Sequence, residues 1–178
     1  VTVDLVKDAE AARAGAFSKR TQVELSRRVG GEWEDGIYQG GTFQPVREIT
    51  VPGQLKDHNH YFRYEGPGWE SDRVGYRLYF DHRNAIDVFG KRDSAMILQK
   101  VGLDGYESYH EDSPWGLDIL KVGSALGLGG FGIWDGESAH NVAHSSRSTC
   151  RILHNGHVQS RFQLIYQGWE SGAGRTDL

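Results

Sequence analysis

Glycine constrains this chain more than any other feature. It supplies 24 of the 178 residues, about 13% where roughly 7% is usual. Only 4 residues are proline, so the glycines do not mark a proline-rich linker. They mark a chain that doubles back often, because glycine gathers at turns and strand bends that need positive φ or close backbone approach. Many short strands are expected, and alternation agrees. Val1-Thr2-Val3-Asp4-Leu5 and Gln22-Val23-Glu24-Leu25 set apolar residues two apart, as half-buried strands require. Tyr61-Phe62-Arg63-Tyr64 and Tyr76-Arg77-Leu78-Tyr79-Phe80 are rich in the aromatic residues that strands prefer. Residues 148–154 and 158–166 flank Asn155-Gly156, the strongest hairpin signal present. Helical signals are confined to residues 8–14, stopped by Gly15, and a turn or two over 93–98. The expectation is an all-β antiparallel sandwich with one or two short helices and long irregular loops between residues 90 and 116.

A chain of 178 residues can bury roughly 70% of its unfolded surface, which suits one domain over 1–178. Hydrophobic residues at 38% and aromatics at 11% are too many for disorder. A formal net charge of −4 gives no electrostatic footprint for duplex nucleic acid or an anionic membrane. No window approaches the roughly 20 apolar residues of a membrane span. Nucleic acid and membrane are therefore not expected partners. Lone Cys150 has no internal disulfide partner and no zinc-type spacing, and reads as a small buried hydrophobe. The sequence begins at Val1 rather than Met, from which removal of a leader or tag is expected.

The densest interleaving of charge and aromatics spans residues 56–91, from Lys56 through His58, His60, Arg63, Glu65, Trp69, Glu70, Tyr76, Arg77, Tyr79, Asp81, Arg83 and Asp87 to Lys91. If the segment is extended, His58 and His60 share one face, as do Arg77, Tyr79, Asp81 and Arg83. Cationic side chains grip carboxylates or sulfates, and Trp and Tyr offer flat apolar surfaces with a polar tip. Acidic carbohydrate suits both halves; the bland alternative is a twisted sheet with cross-strand ion pairs. For His58 and His60 a metal-ligand role, a general acid or base role and a structural role all stay open, a zinc site needing further ligands. Residues 104–121 hold Tyr109-His110 and Trp115 in a loop without apolar periodicity, the kind of segment that carries binding and catalytic groups. The run Gly127-Leu128-Gly129-Gly130-Phe131-Gly132 lacks the context of a phosphate loop or dinucleotide fingerprint and reads as a stretch that lets a backbone or a ligand come close.

Lys56-Asp57-His58, Tyr64-Glu65-Gly66-Pro67-Gly68-Trp69-Glu70-Ser71-Asp72, Val74-Gly75-Tyr76-Arg77, Arg83-Asn84-Ala85-Ile86-Asp87 and Phe89-Gly90-Lys91 form consecutive motifs. Asp104-Gly105-Tyr106, Ser108-Tyr109-His110, Pro114-Trp115-Gly116 and Leu120-Lys121-Val122-Gly123 continue them. Together they resemble a bacterial family known as a domain of unknown function, similar to a dehydratase of ulvan oligosaccharides. The resemblance implies a secreted or periplasmic protein of polysaccharide utilisation with a supersandwich architecture. It implies longer chains too, so that this one is expected to be the N-terminal part of a larger fold or to be completed by a second chain. The implied reaction is β-elimination on a uronic-acid-containing oligosaccharide, a carbon–oxygen lyase chemistry without a cofactor, a divalent metal being left open. Under that resemblance Arg77 and Arg83 would hold the uronate carboxylate. His58, His60, Tyr109 or His110 would be base and acid, and Lys56 or Lys121 an electrophilic helper. Trp69, Trp115 and Tyr79 would contact the sugar. A non-catalytic carbohydrate-binding module, or a glycoside hydrolase using a pair among Glu65, Glu70, Asp81 and Asp87, are the alternatives.

Overall fold

The computed structural model describes residues 18–53, 55–171 and 174–178. The strand expected at 1–5 and the helix expected at 8–14 lie outside the described residues. About 49% of the described residues are in strands and 4% are helical, an all-β fold of several antiparallel sheets. The strands, in chain order, are β1 (Thr21–Glu24), β2 (Ser26–Glu34), β3 (Ile37–Pro45), β4 (Glu48–Pro52), β5 (Gly68–Ser71), β6 (Val74–Leu78), β7 (Ile86–Lys91), β8 (Gly116–Asp118), β9 (Gly132–Trp134), β10 (Ala139–Asn141), β11 (Arg147–Asn155), β12 (Ser160–Gln167), β13 (Trp169–Ser171) and β14 (Gly174–Thr176). Two sheets dominate, one ordered β1-β5-β6-β7-β8 and the other β12-β11-β4.

Register explains how the larger sheet works. Trp69 pairs with Tyr76 and Tyr76 with Val88, while Leu78 pairs with Ile86. Since side chains alternate across a strand, these residues share one face. There Trp69, Leu78 and Ile86 meet Val51, Cys150, Phe162 and Leu164 of the smaller sheet in a sandwich core. Burial pushes the Cys150 thiol up to about 12. The opposite face follows from Gln22↔Glu70, Glu70↔Gly75, Gly75↔Phe89, Arg77↔Asp87 and Phe89↔Asp118. It is largely polar, yet it too is buried: Ile97, Leu98, Val101, Tyr106 and Tyr109 of the connection between β7 and β8 cover it, with Tyr64 and Phe89.

The hairpin at Asn155-Gly156 is present, with a wider turn than a two-residue loop, because Asn155 pairs with Ser160. Asn155 is occupied elsewhere. Its amide nitrogen donates to the Val23 carbonyl at 2.9 Å and its oxygen accepts the Val23 N–H at 3.2 Å, docking the hairpin on β1. Two local expectations are corrected. Residues 61–64 are not a strand; the chain makes a 3-10 turn over Arg63–Glu65 with Tyr64 and Glu65 at positive φ. Residues 93–98 are not helical, because the Ala95 N–H turns back to the Asp93 carboxylate and the Ile97 and Leu98 N–H groups donate to Glu70 rather than to helix carbonyls. Within the glycine run, Gly127 at φ 75° lies against Ile86, whose carbonyl oxygen a Cβ would approach to 2.0 Å. Backbone contact is what that glycine serves.

Candidate functional site

The polar face is organised by Arg77. Directly opposite it, Asp87 takes Nε at 3.1 Å and Nη2 at 2.7 Å through one oxygen. Asp118, brought alongside by the pairing of β8 with β7, accepts Nη2 at 2.6 Å. Tyr79, two residues on and on the same face, donates to Asp87 at 2.5 Å and accepts from Nη2 at 3.1 Å. Nη1 donates to the Tyr109 hydroxyl at 2.6 Å and to Glu65 at 3.3 Å. The guanidinium lies over the rings of Tyr109 and Tyr79, 4.7 and 4.9 Å from their centroids. With its side chain 1% exposed and its donors engaged from several sides, Arg77 is no outward clamp for a substrate carboxylate. It is the buried hub to which the other groups are fastened.

Glu65 ties the second arginine in. It is buried, sits at φ 75°, and divides its carboxylate between Arg77 and Arg83 while accepting the His58 N–H at 3.4 Å. Positive φ at a non-glycine residue persists only where the surroundings enforce it, and His58, His60, Tyr64 and Glu65 all have it within one short stretch. The cause is local. Asn59 donates its side-chain amide to the Lys56 carbonyl at 2.8 Å and accepts the Tyr61 N–H at 2.9 Å, curling the chain so that His58 and His60 do not lie on a strand face as expected. Arg83 pairs through Nε with both Asp81 oxygens, at 3.0 and 3.1 Å, and lies over the Tyr79 ring at 3.9 Å. Its side chain remains 21% exposed.

At the rim the network reaches solvent through imidazoles. His110, 50% exposed, sets Nδ1 at 3.5 Å from the buried Asp118 carboxylate, with its ring 4.7 Å from that of Tyr109. His60 stacks on Tyr106 at 4.5 Å with ring planes 7° apart, and burial, aided by nearby Arg28, lowers its pKa. His58, 59% exposed, lies 6.1 Å from the same ring. Two guanidinia thus face four carboxylates, Glu65, Asp81, Asp87 and Asp118. Burial pushes the Asp118 carboxyl up to about 6; Arg77 opposes the shift and Asp87 adds to it. Burial raises Asp81 and the phenols of Tyr79, Tyr106 and Tyr109, so the three phenols remain O–H donors at neutral pH.

Of the residues singled out from sequence, Arg77, Tyr79, Arg83, Tyr109 and His110 belong to this connected network, and His58 and His60 adjoin it. The others are elsewhere. Lys56 donates to the Asp35 carbonyl at 2.6 Å on the β2–β3 hairpin. Trp69 faces the sandwich core, 5.0 Å from the Phe162 ring, because it has the opposite strand parity to Arg77. Trp115 packs edge-on against Phe89 at 5.8 Å, and Lys121 is exposed. Glu70 joins a separate buried pair with Lys91. Asp118 and Tyr106 join the network as well, although nothing local in the sequence singles them out as site residues. The alternation Gly116-Leu117-Asp118-Ile119 could have flagged Asp118, but only with the pairing of β8 and β7 in hand. Among the described residues no group of three or more His, Cys, Asp or Glu side chains is placed to hold a metal ion, and no helix is long and apolar enough to cross a membrane.

Residues 2–178 match the model of a family described as a domain of unknown function, DUF4861; the chain belongs to that family. No curated protein and no solved structure matches it.

Proposed function

We propose that this DUF4861 domain is a carbohydrate-active enzyme that performs β-elimination on uronic-acid-containing oligosaccharides, at the rim where His110, His58 and Arg83 reach solvent. One observation carries this: a half-exposed imidazole set against a buried carboxylate that is itself anchored on a buried arginine. Elimination of the 4-hydroxyl breaks the C5–H and C4–O bonds, forms the C4=C5 double bond and releases water. It needs a base at C5, a cation to stabilise charge on the adjacent carboxylate, and an acid for the departing oxygen. His110 supplies the base: with Nδ1 turned to Asp118, Nε2 is the basic nitrogen, and the carboxylate stabilises the imidazolium that forms. Arg83, the less buried of the two arginines, neutralises the uronate. His58, the more exposed of the other two imidazoles, protonates the leaving oxygen, whereas His60 is held neutral against Tyr106. Such a substrate accords with a periplasmic or secreted location.

Incubation with uronate-terminated oligosaccharides should raise the absorbance of the conjugated alkene. A flat trace across ulvan, pectic and glycosaminoglycan fragments would remove the proposal. A non-catalytic carbohydrate-binding role has one feature in its favour, the exposed Trp33 and Trp134 on the β2–β3 and β9–β10 hairpins; it predicts saturable binding with no product. Hydrolysis by paired carboxylates is less well served, since Glu65, Asp81 and Asp87 are tied to arginines and Glu70 to Lys91.

A further inference from the structure

We propose that the open hollow of about 400 Å³ beside Tyr109, bordered by Lys100, Asp104, Ser108 and Trp115, is a subsite for an anionic pyranose. The proposal rests on the elimination described above and extends it to the sugar next to the reacting one. The volume falls at the lower end of ligand sites, roughly 300–1,000 Å³, which suits one or two sugar rings rather than a long segment of polymer. Its walls divide the work as a sugar demands. Trp115, partly buried, offers aromatic surface for a C–H face, and buried Tyr109 backs the hollow from the core. Exposed Lys100 offers a cation for a carboxylate or sulfate. Asp104, held by the Ser108 hydroxyl at 2.6 Å, offers acceptors for ring hydroxyls.

These walls are set before any ligand arrives. Trp115 is fixed by its edge-on contact with Phe89, Tyr109 by the Arg77 guanidinium, and the turn at Gly102 lies against Tyr64 at φ 68°. Tyr109 connects the hollow to the network: it is among the residues that border the hollow, and its ring centroid is 4.7 Å from that of His110. On this proposal the reacting sugar lies on the His110 side of the hollow.

The test is an NMR titration of protein carrying 15N in its tryptophan indoles, with the Trp115 signal assigned by its loss in Trp115→Phe. D-Glucuronate, D-glucose 6-sulfate and neutral D-glucose are the probes. The Trp115 signal should shift saturably with an anionic sugar, more weakly with glucose. Lys100→Glu should weaken that affinity about tenfold, the scale of reversing one exposed charge contact, and Lys100→Arg should restore it. A stronger response to glucuronate marks a carboxylate site and to the sulfate a sulfate site, and either supports the proposal. A Trp115 signal unmoved by all three sugars, or equally moved by glucose and indifferent to Lys100→Glu, overturns it. Turnover is read separately. Alkene formation with an unmoved Trp115 removes the subsite and leaves the elimination standing, and a shift without any product does the reverse.

Discussion

Two cations are buried on the same face of the same sheet, and their surroundings differ in one respect. Lys91, its side chain 0% exposed, gives Nζ to Glu70 at 2.5 Å and to the Ser71 carbonyl at 2.8 Å. Glu70 also takes the Ile97 and Leu98 N–H groups at 2.8 and 2.9 Å and the Gln22 amide. The direct partners are backbone groups and the buried Gln22 amide, so the pair acts as a staple between the sheet and the segment that covers it. Arg77 is as deeply buried, but its partners continue outward, through Asp118 to His110 and through Glu65 to Arg83. A buried ion pair is weak evidence for stability, because apolar residues of similar volume often do as well or better. The closed pair is explained by the backbone amides it satisfies. The open one is better explained by the rim groups it positions.

Substitutions can break that contrast. The largest effect is expected at Arg77→Met, which strands three carboxylates. Stability should fall by about 3–5 kcal/mol, the usual range for removing one partner of a buried ionic group, and elimination should vanish even in protein kept folded by low temperature. Lys91→Met should lower stability by about 3 kcal/mol on the same grounds, yet leave turnover per folded molecule within about twofold, measured beside urea denaturation. Comparable loss of turnover in both variants would erase the distinction drawn here.

His110→Ala sharpens it from the other side. Turnover should drop by roughly 10²–10⁴-fold, the range for losing a general base, with a stability loss of about 1 kcal/mol, smaller than for either buried cation. The smallest effect is a slope. Asp118 has a carboxyl raised to about 6 in the folded protein against about 3.9 in an unfolded chain. The folded state therefore binds more protons in that window, and the Asp118 contribution to stability, full below about pH 4, is lost as pH rises through 6. In Asp118→Asn that part of the decline should disappear from denaturation curves measured between pH 4 and 7. An unchanged slope would mean that Asp118 is already ionised at pH 4.

What the sequence disclosed follows from the range of the interactions concerned. Period-two alternation exposed β1, aromatic enrichment exposed β6, and Asn155-Gly156 marked the last long hairpin, because these signals are local to the chain. That residues near 77 and 109 meet can be argued from chemistry, and Arg77 does donate to Tyr109. Its depth could not be seen, since burial depends on a covering segment that shows no periodicity. His58 and His60 misled for a local reason. Their i, i+2 spacing looks like strand parity, whereas the Asn59 side chain between them closes a turn. Trp69 reads as an aromatic platform in the sequence, but its ring points to the sandwich by the same alternation that points Arg77 away from it.

The segment between β7 and β8 is fastened along its whole course. Arg92 N–H reaches the Trp115 carbonyl at 2.9 Å, Arg63 donates to the Leu98 carbonyl at 3.0 Å, and Tyr106 donates to the Phe62 carbonyl at 2.7 Å. Raising it would rupture these contacts together with the Glu70 clasp, so it is a roof and not a door. Ligands approach along the eaves, and occupancy should leave the backbone there nearly motionless, with amide protons in the roof exchanging at the pace of global unfolding.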